Sequence, residues 1–272
     1  MNLNIPEIVF IVPYRKRESE KKVFESIMPK ILNHLKYNIF FIHQNDTRLF
    51  NRGAIKNIGF LYVKKKWPNY YKNITLVFND VDCISYYKDQ FLFKTKENII
   101  KHHFGFKQTL GGIFSIIASD FEKINGFPNI WTWGLEDNII LKRAKINNIK
   151  VDYSKFIDIK ERQKIIFMNN YDKRKINKNI FFKFETNENI DGINLIKKIN
   201  YGNEIEICKN IFLIDINYFE TGEDYKLYLN NTEEITPVKT FKKFKRPYQN
   251  FVFNKNIIKN NLKKKKNIFK IY

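Results

Sequence analysis

Short uninterrupted apolar runs recur along the chain, at 8–12 (IVFIV), 39–42 (IFFI), 74–78 (ITLVF) and 113–117 (IFSII). Runs without polar alternation predict strands covered on both faces, as in a parallel sheet. Pro13 is expected to end the first of them. Between the runs the period lengthens. Val23, Phe24, Ile27, Ile31, Leu32 and Leu35 share one face of a helix predicted over 18–35, with Pro29 as a possible kink. Ile55, Ile58, Leu61 and Tyr62 form the inward stripe of a second helix. Ser119 and Glu122 stand at capping-box spacing at the start of a short third helix, and Gly126 fits the left-handed position that ends such helices. Glu136 and Asp137 open a fourth, with Ile139, Ile140, Leu141 and Ala144 as its apolar positions. Strands alternating with helices predict the α/β class.

Composition narrows this picture only slightly. A hydrophobic content of 43% in 272 residues supports one large core or two modest ones. The net charge of +21 implies attraction to polyanions, whether nucleic acid, phosphorylated small molecules or acidic lipid, without choosing among them. Two cysteines, Cys83 and Cys208, allow at most one disulfide. No run reaches membrane-spanning length and the N-terminus lacks the pattern of an export signal, so the expected location is cytoplasmic. The expected boundaries are a catalytic domain over 1–235 and a basic, aromatic-containing extension over 236–272. Its Phe241, Phe244, Tyr248, Phe251 and Phe253 interleave with lysines. Such a tail commonly packs one helix and leaves its lysines in water; an anionic membrane surface stays open as a partner, and nucleic acid is not expected.

Candidate chemistry gathers at the ends of the predicted strands, where open α/β sheets bind ligands. Arg15 and Arg17 follow the first strand and are placed to reach a phosphate. Phe50 and Arg52 follow the second, an aromatic and a cation fit to stack a base and pair its phosphates. Asp80 and Asp82 follow the third; an extended backbone would turn both to one side with Val81 opposite, a hard oxygen site for Mg or Mn. Gly111 and Gly112 allow a ligand close to the backbone. Trp131 and Trp133, two apart, are expected to project to one side as a wall for a sugar ring. Glu136 and Asp137 open a helix, where a carboxylate held ionised by the dipole is suited to accept a proton from a hydroxyl. His102 and His103 read as surface or satisfied polar residues.

In order, Val12-Pro13-Tyr14-Arg15-Lys16-Arg17, Phe50-Asn51-Arg52, Asp80-Val81-Asp82, Gly111-Gly112, Ile124-Asn125-Gly126-Phe127-Pro128-Asn129, Trp133-Gly134-Leu135-Glu136-Asp137 and Asp191-Gly192-Ile193-Asn194-Leu195 resemble the successive motifs of the β-1,4-galactosyltransferase family. The resemblance spans roughly residues 5–220, with 204–219 similar to the family's closing strand. It implies a GT-A fold with a mixed central sheet flanked by helices. It also implies a UDP-sugar donor, Mn (Mg as an alternative), a carbohydrate acceptor and inversion in a single displacement. Carried over by position, Arg15 and Arg17 would contact the diphosphate, and Phe50 and Arg52 the uridine and its phosphates. Pro13, Asp80 and Val81 would line the donor, and Asp82 would ligate the metal. Trp133 and Gly112 would border donor and acceptor, Glu136 would bind sugar hydroxyls, and Asp137 would be the general base. Phe106, Thr109, Trp133 and Asn138 would set acceptor or sugar specificity.

Three positions depart from the family pattern. Leu135 and Asn138 replace a glycine and an aspartate of its Gly-Gly-Glu-Asp-Asp run, which changes the acceptor pocket. No histidine follows His103, so the family's second pair of metal ligands is reduced to Met168 or Asn169 as the nearest candidates. Thr109 stands where galactosyl enzymes carry a tyrosine against the sugar's C2 substituent, which is expected to admit N-acetylgalactosamine as well as galactose. A UDP-glucose or UDP-N-acetylglucosamine transferase on the same scaffold, and a polyanion-binding relative without turnover, are the alternatives.

Overall fold

The structure, a computed structural model, describes residues 5–168, 174–177, 191–222, 225–226 and 232–235. The chain divides into two compact units: one takes in residues 1–170 and 174–234, the other residues 171–173 and 235–272. Nearly all of the second unit, including the basic segment 236–272, and Asn169 lie outside the described residues.

The order of elements follows the predicted alternation. Strand β1 (Ile8–Tyr14), helix α1 (Glu18–Leu32), strand β2 (Tyr37–Gln44), helix α2 (Arg52–Lys66) and strand β3 (Thr75–Asn79) come first. Short β4 (Cys83–Ile84), then β5 (Ile99–Gly105), β6 (Ile113–Ile117), α3 (Ala118–Lys123) and α4 (Glu136–Ile146) follow. The remainder is β7 (Lys150–Asp152), β8 (Ile157–Asp158), β9 (Ile166–Phe167), β10 (Arg174–Asn177) and the long hairpin of β11 (Lys197–Cys208) and β12 (Ile211–Glu220). The main sheet runs β11-β12-β2-β1-β3-β6-β5-β7, with β8 also paired to β5. β12, β2, β1 and β3 are mutually parallel, whereas β6 turns back antiparallel to β3 and β5.

Because side chains alternate along each strand, two cores form, one on each face. Val9, Ile11, Phe40, Ile42, Leu76 and Phe78 pack on α2, α3 and α4. Phe10, Val12, Ile39, Phe41 and Val77 pack on Phe24, Met28, Ile31 and Leu32 of α1. Both faces being covered explains the uninterrupted apolar runs.

Three local expectations fail for identifiable reasons. Pro13 does not end β1: pairing with β3 stops at Ile11 and Phe78, so its missing N–H removes no ladder bond on that side. Helix α1 ends at Leu32, three residues short, and Leu35 N donates to Leu32 O in the turn that leads to β2. The capping box before α3 does not form. Ile117 is the N-cap, the Ser119 hydroxyl has no partner among the described residues, and Glu122 instead accepts from Lys64 and from Tyr71. Gly126 does close α3 as expected, at φ 60° with its N–H on Phe121 O. Cys83 is buried and Cys208 exposed, both as free thiols. Among the described residues no helix is long and apolar enough to cross a membrane.

Candidate active site

The site lies where the sheet changes from parallel to antiparallel. β3 delivers Asn79 opposite Ile113, the first residue of β6, so the residue after β3 and the glycines before β6 are neighbours. Asp80 N donates to Gly112 O at 2.9 Å. Beyond Asp80 the backbone does not stay extended: Cys83 N donates back to Asp80 O (3.1 Å), and Asn79 Nδ2 braces the carbonyls of Asp80 and Cys83. The two aspartates therefore sit on a turn, with Val81 buried beneath it as expected.

Helix α2 carries the matching cations. Asn51 caps it, accepting from Ala54 N (2.9 Å). Arg52 then forks. Its Nη2 donates to both oxygens of Asp80 (2.8 and 3.0 Å) and its Nη1 to Glu136 Oε1 (2.9 Å). One turn on, on the same helix face, Lys56 Nζ donates to Asp137 Oδ1 at 3.1 Å. The N-terminus of α4 is brought here by a brace from α2: Asn57 donates to Phe127 O and Asn129 Oδ1 and accepts from Phe127 N. Leu110 N fixes the backbone of Asp137 from the other side (2.8 Å). A Cβ on Gly111 would stand 2.6 Å from Asp137 Oδ2, so this glycine makes room for the carboxylate.

The charges shift one another. Burial works against the Arg52 charge, but Asp80, Glu136 and Asp137 outweigh it and hold the guanidinium protonated well above its ordinary range. Burial likewise opposes ionisation of Asp80, yet Arg52 and Lys56 bring its pKa below the usual carboxylate value. Asp82 goes the other way, raised by burial and by the neighbouring Asp80 charge. Glu136 is raised by burial, which the attraction of Arg52 does not offset.

Asp82 is the one carboxylate of the set that Arg52 and Lys56 leave without a hydrogen bond. Its carboxylate accepts only the Cys83 thiol (3.2 Å) and has no ion-pair partner among the described residues. Met168 N donates to Asp82 O (2.9 Å), and pairing of β4 with β9 holds that contact. A carboxylate without a cation suits a hard divalent ion such as Mn or Mg, whereas Met168 approaches the turn through its backbone and its side chain packs with the core.

Two family descriptions match the chain in succession: the N-terminal region of glycosyl transferase group 7 over residues 4–95, and the N-terminal domain of galactosyltransferase over residues 93–166. Together they cover more than half of it. The chain belongs to the β-1,4-galactosyltransferase family. Beta-1,4-galactosyltransferase 2 of Homo sapiens is 30% identical over 156 residues, 53% of this chain and 41% of that protein. The matched stretch is thus less than half of the relative's length. The catalytic domain of Drosophila beta1,4galactosyltransferase 7 in complex with xylobiose superposes with a TM-score of 0.65 at 20% identity, covering 83% of this chain and 98% of that one. A mutant of the same enzyme, complexed with manganese, UDP-Gal and xylobiose, gives 0.60 at 18% identity over the same shares. The fold is the GT-A fold of these galactosyltransferases.

Within this member of the family, Arg52, Asp80, Gly112, Glu136 and Asp137 converge as the motifs implied, with Asp82 on the same turn. Val81 and Pro13 are buried supports. Phe50 is half-buried against the α2 core. Arg17 pairs with Glu20 (3.0 Å) and its charge is felt at Asp82. Arg15 is committed elsewhere: its Nη2 donates to Asp46 O (2.8 Å) and its Nη1 to Arg48 O (2.5 Å), so it shapes the 46–48 loop. Glu136 has little surface left for sugar hydroxyls. It is buried, with one oxygen on Arg52 and the other on Gly134 N (3.0 Å), and so braces the turn before α4. The tryptophans do not form one wall. Trp131 is buried, stacked 5.1 Å from Phe219 with its Nε1 donating to Thr221, whereas Trp133 is half-buried. Phe106 is exposed on the 105–112 loop, where Thr109 Oγ1 donates to its carbonyl (3.2 Å), and Asn138 is half-buried in the first turn of α4. His102 and His103 are buried and hydrogen-bonded.

Two residues that no motif singled out belong to the site. Lys56 carried a faint signal, a charge between Ile55 and Ile58 and four residues after Arg52. Arg174, the first residue of β10, lies 4.4 Å over the Trp133 ring, while Trp133 N donates to Lys175 O. Burial and the nearby Arg52 charge lower its pKa, against the pull of Asp82 and Asp80. Its charge thus reaches both aspartates of the turn after β3. No sequence pattern places a residue so far along the chain against Trp133.

Proposed function

We propose that this site transfers galactose from UDP-galactose to a sugar hydroxyl, with inversion at the anomeric carbon. The observation that carries the reading is the fork of Arg52. It holds the carboxylate after β3 and the acids that open α4 against one guanidinium, so a nucleotide-binding turn and a general base meet in one place. The family membership supports the same reading, as does the related Drosophila enzyme captured with manganese, UDP-Gal and xylobiose.

In this reaction the acceptor oxygen attacks the anomeric carbon, the bond from that carbon to the diphosphate oxygen breaks, and UDP leaves. Asp137 takes the acceptor proton at its carboxylate. Arg17 and Arg174 bring positive charge to the departing diphosphate. Asp82 would hold a divalent cation, which when bound adds charge for the same leaving group. Trp133, with Arg174 on one face, borders the sugar. The donor sugar is galactose or N-acetylgalactosamine, because Thr109 is small and its hydroxyl is turned back onto Phe106 O.

The test is consumption of UDP-galactose and UDP-N-acetylgalactosamine with Mn and a panel of sugar acceptors, the product anomer being read by NMR. Expected is transfer with inversion, lost by about a hundredfold or more in Asp137→Asn. Thr109→Tyr should suppress the N-acetylgalactosamine reaction selectively. A parent that consumes neither donor ends the proposal, and exclusive use of UDP-galactose with an unaltered Thr109→Tyr profile ends the donor assignment.

A further inference from the structure

α2 buries the Lys56 side chain to 2% exposure, and its ammonium has a single hydrogen-bond acceptor among the described residues, Asp137 Oδ1 at 3.1 Å. The same nitrogen lies 4.4 Å from the centre of the Phe127 ring. Burying an ammonium is costly, and an apolar side chain of similar size would fill the position between Ile55 and Ile58 without that cost. Arg52 does not supply what Lys56 supplies: it comes no closer than 3.9 Å to Asp137, beyond hydrogen-bond length, and its donors are used on Asp80 and Glu136. Glu136, one residue away, is held by Arg52 and Gly134. Among the described residues Lys56 is thus the one hydrogen-bond donor to the Asp137 carboxylate, with Arg52 a longer ion pair at Oδ2. Its other oxygen, Oδ2, lies against Gly111 at the mouth of the 105–112 loop.

We infer that Lys56 is a positioning residue for the base of the proposed transfer: it clamps Asp137 Oδ1, so that Oδ2 is the oxygen presented to the acceptor hydroxyl. The inference rests on the transferase reading above. It adds a requirement that reading does not contain, a buried cation on α2 without which the carboxylate rotates among orientations of which few are productive. Holding a reacting group in line is worth orders of magnitude in rate, and misplacement by about an ångström costs about a hundredfold. Lys56 hydrogen-bonds Asp137 and reaches the turn that carries Asp80 and Asp82 only as a charge, so its loss falls mainly on turnover and little on donor affinity.

The experiment uses the full chain and two substitutions, Lys56→Met, which keeps the volume, and Lys56→Gln, which keeps a hydrogen-bond donor without the charge. UDP binding in the presence of Mn is measured by calorimetry, and kcat and KM for UDP-galactose by product release. For Lys56→Met the expected result is UDP affinity and KM within about twofold of the parent and kcat lower by about a hundredfold. Lys56→Gln, able to donate to Oδ1, should recover about tenfold of that loss. A folded Lys56→Met protein turning over within about threefold of the parent overturns the inference, as does a loss that appears equally in UDP affinity and kcat, the mark of a purely structural role. Should Lys56→Met fail to fold, Lys56→Gln decides alone: a kcat about tenfold down with UDP affinity kept supports the clamp, and unaltered turnover refutes it. A parent without any turnover refutes the transferase reading itself and takes the clamp with it, which keeps the two failures apart.

Discussion

Gly111 illustrates how much of this site is decided by single atoms. Its Cα faces Asp137 so closely that a methyl group there would stand 2.6 Å from Oδ2 and 3.0 Å from Cγ. Because Leu110 N and Lys56 hold the aspartate from the other sides, it cannot retreat without breaking one of those bonds. Gly111→Ala is therefore expected to displace the carboxylate and lower kcat by about a hundredfold, while the main sheet, which Gly111 only borders, keeps its pairing and the fold survives. Steady-state rates alongside a thermal melt check this; an unchanged kcat would mean that the carboxylate has room the structure does not show. At this scale the sequence was only partly legible. Asp80, Asp82 and Asp137 announce themselves by chemistry, whereas Lys56 looks like one of many lysines until its burial is known. Trp131 looked like a sugar platform because its partner, Phe219, is remote in sequence and no local pattern reveals the stack.

Among the elements, α4 shows a competition whose winner can be named. Leu135, its N-cap, takes a left-handed φ of 70° at a position where the family motif has glycine. That conformation costs a branched L-residue about 1–2 kcal/mol. The same leucine is 6% exposed within the core under α4, and removing a buried leucine side chain costs about 2–5 kcal/mol. Burial outweighs strain. Leu135→Gly is thus expected to destabilise by about 1–3 kcal/mol although it relieves the backbone, measurable as a lower urea midpoint at an unchanged slope. A stabilised variant would show that strain dominates. The strands were legible because coverage on both faces leaves an unmistakable run of apolar residues. Caps and turns were less so, since they depend on competitors: Glu122, free in the sequence to cap α3, is taken by Lys64 and Tyr71, and the turn after β3 is held by Asn79, a residue with no motif of its own.

For the molecule as a whole, two buried histidines of β5, the strand next to β6, tie stability to the loop that carries Gly111. Burial holds His102 down to about 4 and His103 to about 3, against an ordinary value of 6.5. Burial favours the neutral ring in both cases, and at His102 it outweighs two hydrogen bonds that favour the charged one. His102 Nε2 donates to Phe104 O and Gly111 O (3.1 Å each), and His103 Nε2 pairs with Ser115 Oγ (2.7 Å). The unfolded chain protonates these rings near 6.5 and the folded chain only below about 4, so between those values the unfolded state binds more protons and folding stability falls as the pH falls. The loss is about 1.4 kcal/mol per pH unit for each ring, fully absent above the unfolded value and complete below the folded one. Carboxylates titrate in the same range with mixed signs: Asp80 is lowered and loses stability on acidification, while Asp82 and Glu136 are raised and gain it. A difference measurement removes that background. His103→Gln keeps a hydrogen-bonding group for Ser115 and has no titration there. Urea unfolding of parent and variant from pH 7 to 4.5 should give curves that diverge below about pH 6, the parent losing about 1 kcal/mol more per unit than the variant. Parallel curves would mean that His103 is protonated in the folded protein.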